Sequence, residues 1–319
     1  GIRYTVGFPM WNDVMNKGAI ANVHTLSSII AMLLLLPFHN VLTKLAHMTI
    51  RDSEEDAQEL TMPVLDERLF NSPAVALQQA KSAVVKMANR ACHNLALAAP
   101  LLEKYDTDTV ARISVRENLI DRMEVNISNY LIKLADQELN DEESHAVSEL
   151  LNFVTEYERI GDYAVNITES AGELEDKEVH FSESAVQELN LLSKAVEEII
   201  GLANDAFANN EIGSAKRVEP LEETIDDLCE TLRAQHIQRL KEGQCQIDTG
   251  VVFLDVINNM ERIADHCSNV AARLIGMERG DELDAHALKR ELHATTDGEY
   301  GEELEAYHKK YLESVTLAG

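Results

Sequence analysis

The sequence predicts an all-α protein made of two tandem three-helix bundles that follow one terminal transmembrane helix. Apolar residues recur at three- and four-residue steps, as at Leu119, Ile120, Met123 and Ile127, and this is the spacing of a buried helix face. Only 6 prolines and 14 glycines interrupt 319 residues, and few runs resemble strands. The same motifs also return in the second half of the chain, which predicts two similar units.

A nine-residue motif occurs twice in the chain. Residues 158–166 read ERIGDYAVN, and residues 261–269 read ERIADHCSN. A weaker pair lies upstream of each copy, with ENLID at 117–121 and EETID at 222–226. Two motifs that return in the same order at nearly the same separation indicate one structural unit used twice.

The composition limits the classes of partner. The chain carries 28 Lys and Arg against 56 Asp and Glu, which gives a net charge of −28. Such a field repels nucleic acid and anionic lipid headgroups, so we expect no nucleic-acid partner. The same negative field attracts cations and basic partners, and it also keeps a protein soluble. The cysteines form no CxxC pair, which is typical of free thiols in a reducing cytoplasm.

The beginning of the chain differs from the rest. Residues 18–38 contain no Asp, Glu, Lys or Arg, and about 20 such residues form a helix long enough to cross a hydrocarbon core. We expect a transmembrane helix there, within the end of a membrane transport domain at 1–50. The alternative is a buried or interfacial apolar helix. Polar groups at membrane depth are candidates for function, and this segment supplies Asn22, His24 and Thr25.

A linker at 51–71, acidic and polar, leads into the helical body. We place the first three-helix repeat at 72–178, the second at 179–280 and a helical tail at 281–319. Short links between long amphipathic helices predict antiparallel bundles. Six long helices are predicted, at about 74–104, 107–137, 142–174, 182–209, 211–242 and 247–279. The initial Gly, in place of Met, is typical of a fragment of something longer.

Particular residues mark the predicted helix ends. Asp106 and Asn140 supply N-cap chemistry before the second and third helices. Gly243 stands where a helix usually stops. Pro220 interrupts the predicted helix at 211–242, and we expect that helix to kink or restart there.

Each repeat carries two Glu–Asp pairs whose spacing puts both carboxylates on one face of a helix. Like charges that close together repel, so the arrangement requires a compensating partner, of which a bound cation is the simplest. If neighbouring helices pack antiparallel, four carboxylates converge in each repeat. The predicted ligand sets are Glu117, Asp121, Glu158 and Asp162 in the first repeat, and Glu222, Asp226, Glu261 and Asp265 in the second.

Oxygen-rich clusters suit Mg²⁺, Mn²⁺ or iron, so the predicted cofactors are divalent or iron-type metal ions. Asn166 and Asn269 recur one turn beyond each Asp, and together with His266 they are candidates for additional ligands or for hydrogen bonds to the ligands. Two alternatives stay open. Such pairs often form a solvated acidic face, and Arg159 and Arg262 could instead form salt bridges across the helices.

The repeated ERIxDxxxN, preceded by ExxxD on the previous helix, resembles the PhoU domain over about residues 72–280. The resemblance implies a pair of three-helix bundles that often binds metal clusters through ExxxD motifs and takes part in phosphate control. Residues 19–38, 65–81 and 236–269 are also similar to stretches of bacterial sodium/phosphate cotransporters. In those proteins a PhoU-like domain follows the membrane region on the cytoplasmic side.

The resemblance implies the C-terminal region of a sodium-dependent inorganic phosphate cotransporter in the bacterial inner membrane. Residues from about 51 onward would then form a cytoplasmic, metal-binding regulatory domain. The implied partners are inorganic phosphate and sodium, through the parent transporter, and the membrane, with a homodimer left open. The alternative is a stand-alone PhoU-type regulator of phosphate uptake and signalling. Neither nine-residue motif contains the Glu-x-x-His pair of di-metal carboxylate enzymes, and we do not expect an enzyme.

Overall fold

The computed structural model describes residues 61–243, 245–279 and 298–316, together with Thr25. All regular elements within these residues are helical, which confirms the all-α prediction. The predicted transmembrane segment at 18–38, with Asn22 and His24, lies outside the described residues except for Thr25, which is exposed. Over the described ranges, no helix has the length and apolar character that a membrane span requires.

Six long helices form the body of the molecule. Short 3-10 helices precede and follow the first of them, at Glu67–Asn71 and Ala99–Leu102. The long helices are α1 Pro73–Ala98, α2 Thr107–Ala135, α3 Asp141–Asp176, α4 Glu183–Asn209, α5 Ile212–Lys241 and α6 Ile247–Arg279. A last helical stretch consists of α7 Glu299–Tyr307, a π-helical turn His308–Leu312 and α8 Glu313–Thr316.

The long helices form two three-helix bundles that share one hydrophobic core. Helices α1, α2 and α3 pack on one another, and so do α4, α5 and α6. The bundles meet where α3 packs on α6 and α1 packs on α4. Tyr157 of α3 and Phe207 of α4 lie in this contact with their ring centroids 5.6 Å apart, and both side chains are fully buried.

The residues that mark helix ends act as the sequence predicts. Asp106 accepts a hydrogen bond of 3.0 Å from the backbone N–H of Thr109 at the start of α2. Asn140 and Glu143 form a reciprocal capping box at the start of α3, which satisfies two otherwise unpaired N–H groups. Gly243 follows α5 with φ of +69°, a conformation that costs glycine no steric strain.

Helix α5 passes through Pro220 without a break. It runs as one element from Ile212 to Lys241, so the restart expected at the proline does not occur. Proline removes one backbone hydrogen bond, but residues on both sides remain helical. Pro220 is buried, and Thr224 Oγ1 donates a hydrogen bond of 2.8 Å to its carbonyl. Tertiary packing therefore outweighs the local preference.

Candidate metal centre

Three carboxylates of the first repeat meet between α2 and α3. Glu117 and Asp121 lie one turn apart on α2, and Asp162 lies on α3. One oxygen from each of the three lies within 4.8 Å of the other two. Carboxylate oxygens at this separation can share one cation whose metal–oxygen distances are about 2–2.5 Å. We call these three side chains the carboxylate cluster.

Glu117 is the innermost member of the carboxylate cluster and is only partly exposed. The side chain of Asn94, on α1, donates a hydrogen bond of 3.3 Å to its Oε2. Its Oε1 is buried and has no hydrogen-bond partner among the described residues. A buried polar atom without a partner loses the solvation of water and gains nothing in return. A cation would compensate this oxygen directly.

Burial and mutual repulsion raise the pKa values of these carboxyl groups. The pKa of Glu117 rises to about 8 because the group is buried and because Asp121 and Asp162 lie nearby. Burial and Asp162 also raise the pKa of Asp121. Glu158 lies beside the carboxylate cluster on α3, and burial, Asp162 and Glu124 raise its pKa to about 7. Arg159 acts in the opposite direction on Glu158 without offsetting the rise. Repulsion among the carboxylates therefore remains uncompensated, and a bound cation would displace protons from the site.

The position of Glu117 depends on Gly161 in α3. A Cβ atom at residue 161 would lie 3.1 Å from Oε2 and 3.2 Å from Oε1 of Glu117. These distances are shorter than ordinary van der Waals contact, so a larger residue would push the carboxylate away. Ala264 occupies the equivalent position in the motif of the second repeat. The second repeat therefore lacks the room that glycine provides in the first.

Two of the four predicted carboxylates of the second repeat, Glu261 and Asp265, are held in ion pairs. Arg233 of α5 donates to both oxygens of Glu261 on α6, and the bond from Nη1 to Oε1 measures 3.2 Å. Arg262 Nη1 lies 3.2 Å from Oδ2 of Asp265, within the same helix. Within the described ranges, the first repeat holds the only group of three ligating side chains at metal-binding distance. The geometry thus distinguishes the two repeats and favours the ion-pair alternative for the second.

Arg233 is a functional residue that the repeated motif does not reveal. Arg159 and Arg262 lie within the motif, whereas Arg233 lies outside it. In the first repeat the position of Arg233 is held by Ser128, so a comparison of the repeats residue by residue reveals the added cation. Glu222 is buried and Asp226 is exposed, one turn apart on α5 as expected.

The candidate additional ligands lie at the contact between the bundles. His266 Nδ1 is 2.6 Å from Oε2 of Glu156 on α3. Asn269 donates a hydrogen bond of 3.2 Å to the same oxygen. Asn166 donates to Asn259 across the same contact at 3.5 Å. The structure therefore places these three residues between α3 and α6 rather than in the carboxylate cluster.

Glu156 is the centre of a buried polar network that sequence reasoning did not find. Arg273 of α6 lies 3.9 Å from its Oε1 and 3.4 Å from Oε2 of Glu149. Burial raises the pKa of Glu156, but the hydrogen bonds with His266 and Asn269 outweigh it, so the net pKa is lowered. Nothing in the sequence distinguishes Glu156 from the other glutamates of an acidic helix, because its partners are more than 100 residues away.

The fold and the carboxylate cluster define a class of protein: a double three-helix bundle with a candidate cation site in its first bundle. The family model of the PhoU domain matches the chain twice, at residues 84–171 and 189–274. The chain belongs to the PhoU domain family. The two matches coincide with the two bundles, which confirms the family that the repeated motif resembles.

Similar proteins are named for roles in phosphate transport. A phosphate-specific transport system accessory protein PhoU homolog from Clostridium acetobutylicum is 25% identical over 210 residues, which are 65% of this chain and 94% of that protein. A second, from Thermotoga maritima, is 23% identical over 205 residues, 64% of this chain and 87% of that protein. YjbB from Salmonella typhimurium, a candidate inorganic phosphate export protein, is 22% identical over 264 residues, 81% of this chain and 48% of that protein. The chain thus spans about half the length of this last relative.

Solved structures show the same fold. PhoU from Pseudomonas aeruginosa superposes with a TM-score of 0.61 at 23% identity, covering 66% of this chain and 99% of that one. The phosphate transport system regulatory protein PhoU from Streptococcus pneumoniae superposes with a TM-score of 0.60 at 20% identity, covering 67% and 100%. At these identities the likeness shows the architecture alone.

Proposed function

We propose that this chain is a PhoU-type regulator of phosphate transport and not an enzyme. The observation that carries the proposal is the match of the PhoU domain to both bundles, at residues 84–171 and 189–274. The relatives that cover most of their own length are described as accessory proteins of phosphate-specific transport systems. An accessory role also fits a helical protein whose carboxylate cluster is a candidate binding site.

The same proposal assigns a metal ion to the first repeat. The donor set of the carboxylate cluster fits a divalent or iron-type cation, because all three ligands are carboxylate oxygens. The buried, unpartnered Oε1 of Glu117 supports this assignment. An ion bound there would offset the negative charge of the carboxylate cluster and bridge ligands on α2 and α3. Arg233 supplies the positive charge in the second repeat from within the chain, and we propose that no metal binds there.

A complementation experiment tests the regulatory role. A bacterial strain that lacks its own PhoU is supplied with the wild-type chain, and the uptake of radiolabelled phosphate is measured in high-phosphate medium. We expect the wild-type chain to lower uptake, because a regulator restrains transport when phosphate is abundant. The variant Asp162→Ala should fail to do so, whereas the matched Asp265→Ala should act like the wild type. An inactive wild-type chain would contradict regulation, and a fully active Asp162→Ala would contradict the role of the metal.

A second candidate is the C-terminal region of an inner-membrane sodium/phosphate cotransporter, with a terminal membrane helix and a cytoplasmic regulatory domain. It is favoured by the match to YjbB, which is longer than the matches to the PhoU homologs and covers 81% of this chain. In this case the uncharged run at 18–38 is a membrane span, and residues from about 51 onward lie in the cytoplasm. Fractionation of cells that express the whole chain tests it. The second candidate requires the chain in the membrane pellet after a salt wash; recovery in the soluble fraction would contradict it.

A further inference from the structure

Just before its ExxxD motif, the outer surface of α2 is exposed at a position where the equivalent surface of α5 is covered. Each helix carries one ExxxD motif, so the motif aligns them residue by residue. Val115 stands two residues before the motif in α2 and is 54% exposed, whereas Pro220 holds the same place in α5 and is buried. Farther along α2, Val125 and Ile132 are 55% and 52% exposed, but their counterparts in α5, Glu230 and Ile237, are exposed as well. Isolated exposed apolar residues are ordinary, so the difference between the two helices rests on Val115 and the residues close to it.

Helix α7 packs along the covered face of α5. Arg217 of α5 donates a hydrogen bond of 3.1 Å to the hydroxyl of Tyr307 and lies 3.6 Å from a carboxylate oxygen of Glu303. Tyr300, at the start of α7, donates to Glu223 of α5. The sequence of α7 is EYGEELEAY, an acidic helix with aromatic residues. The chain thus shows directly which kind of helix this face accepts.

The arginine that holds α7 has a counterpart on α2. Arg112 and Arg217 both stand five residues before the Glu of their ExxxD motif. Arg112 is exposed, and it donates a hydrogen bond of 2.8 Å to the nearby hydroxyl of Thr109. Arg122, farther along the helix, is also exposed. Arg112, Val115 and Arg122 lie within about 80° of one another around the helix, with Val125 beside them, on a chain whose net charge is −28. We call this surface the α2 face: Arg112, Val115, Arg122 and Val125.

We propose that the α2 face docks an acidic amphipathic helix of a partner protein, in the way that α5 holds α7 within the chain. A glutamate and a tyrosine spaced like Glu303 and Tyr307 would bind Arg112, and apolar side chains of the helix would cover Val115 and Val125. Charge complementarity selects this occupant, because an acidic helix meets arginines here and meets like charge on most of the remaining surface.

A peptide of residues 298–316, labelled with a fluorophore, is the probe for this site. Its anisotropy is measured against the full-length chain at low salt. We expect saturable binding that Val115→Asp and Arg112→Glu each weaken by about tenfold or more. Lys194→Glu makes the same change of charge at an exposed residue of α4 and should leave binding unchanged. Because Val115 and Arg112 are exposed, circular dichroism should show both variants fully helical.

A further variant separates the two faces. Arg217→Glu weakens the hold of α5 on its own α7, and peptide binding should persist in it. Loss of binding in Arg217→Glu but not in Arg112→Glu would mean that the peptide displaces α7, and the proposal would be wrong. Absence of saturable binding would also overturn it. If light scattering finds a dimer that Val115→Asp converts to a monomer, a second copy of the chain occupies the face, and the partner-protein proposal fails.

Discussion

The carboxylate of Glu117 lies directly against the backbone of Gly161, so close that a Cβ atom there would stand 3.1 Å from Oε2. In the second repeat Ala264 carries that Cβ, and Glu261 in the same motif is paired with Arg233. Two differences between the repeats, the glycine and the arginine, therefore distinguish a cluster whose repulsion is uncompensated from a patch in which Glu261 already has a cationic partner. The two bundles share a fold but differ in what they can bind.

The substitution Gly161→Ala should weaken metal binding without unfolding the helix. The added methyl group must displace the Glu117 carboxylate, while alanine is the better helix former by about 1 kcal/mol. We expect the affinity for Mn²⁺, measured by calorimetric titration, to fall by about tenfold with helical content unchanged. Gly201→Ala is the matched control, because a Cβ at that position meets no atom within 4 Å. Equal affinities in the two variants would show that the contact is irrelevant to binding.

The metal-free protein should lose stability as the pH rises from about 5 to about 8. The folded-state pKa values of Glu117 and Glu158, about 8 and about 7, lie above the value of 4.5 for an unperturbed glutamate. The stabilisation from these protonated groups is complete below the unfolded pKa and is lost as the pH rises through the folded pKa. In the presence of a chelator, Tm should therefore fall by several degrees over this window.

Two variants check that the pH dependence originates at the carboxylate cluster. Glu117→Gln cannot ionise and should flatten the decline in Tm. Glu230→Gln changes an exposed glutamate of α5 and should leave the decline as in the wild type. A wild-type Tm that stays level or rises between pH 5 and 8 would contradict the assigned pKa shifts.

The contact between the bundles should depend on Glu156. The variant Glu156→Gln keeps an acceptor oxygen but removes the buried negative charge beside His266 and Arg273, and the loss of one member of a buried ion pair costs about 3–5 kcal/mol. We expect Tm to fall by roughly 5–15 °C while metal affinity is unchanged, because the network lies between α3 and α6. Thermal unfolding followed by circular dichroism measures this loss, and Glu230→Gln is again the control. A loss of metal affinity in Glu156→Gln would show that the two sites are coupled.

The part of the fold that could be predicted from the sequence is the part set by signals that act within a few residues. Asp106, Asn140 and Gly243 mark helix ends through chemistry within a few residues, so their roles are visible in the sequence. Pro220 shows the limit of such signals: of the kink or restart that its local preference predicts, the restart does not occur. Short-range signals therefore predict the helices well and predict poorly how packing changes them.

The same limit applies to the candidate site: contacts that follow from helical spacing can be predicted, and contacts that depend on a distant helix cannot. The ExxxD and ERIxD motifs predict that Glu117, Asp121, Glu158 and Asp162 converge. Three of the four meet and Glu158 lies beside them, because helical spacing and antiparallel packing suffice for that. The pairing of Glu261 with Arg233 could not be predicted from the motif, since the arginine lies on another helix outside it. Contacts between distant helices depend on register and rotation, which the motifs do not specify.

Counting the metal ions bound per chain is the most direct test of a single metal centre in the first repeat. The full-length protein is equilibrated with Mn²⁺, desalted and analysed for metal and protein, alongside Asp162→Ala and Asp265→Ala. We expect about one ion per chain in the wild type, almost none in Asp162→Ala, and the wild-type metal content in Asp265→Ala. Two ions per chain in the wild type, or retention of metal in Asp162→Ala, would contradict a single metal centre in the first repeat.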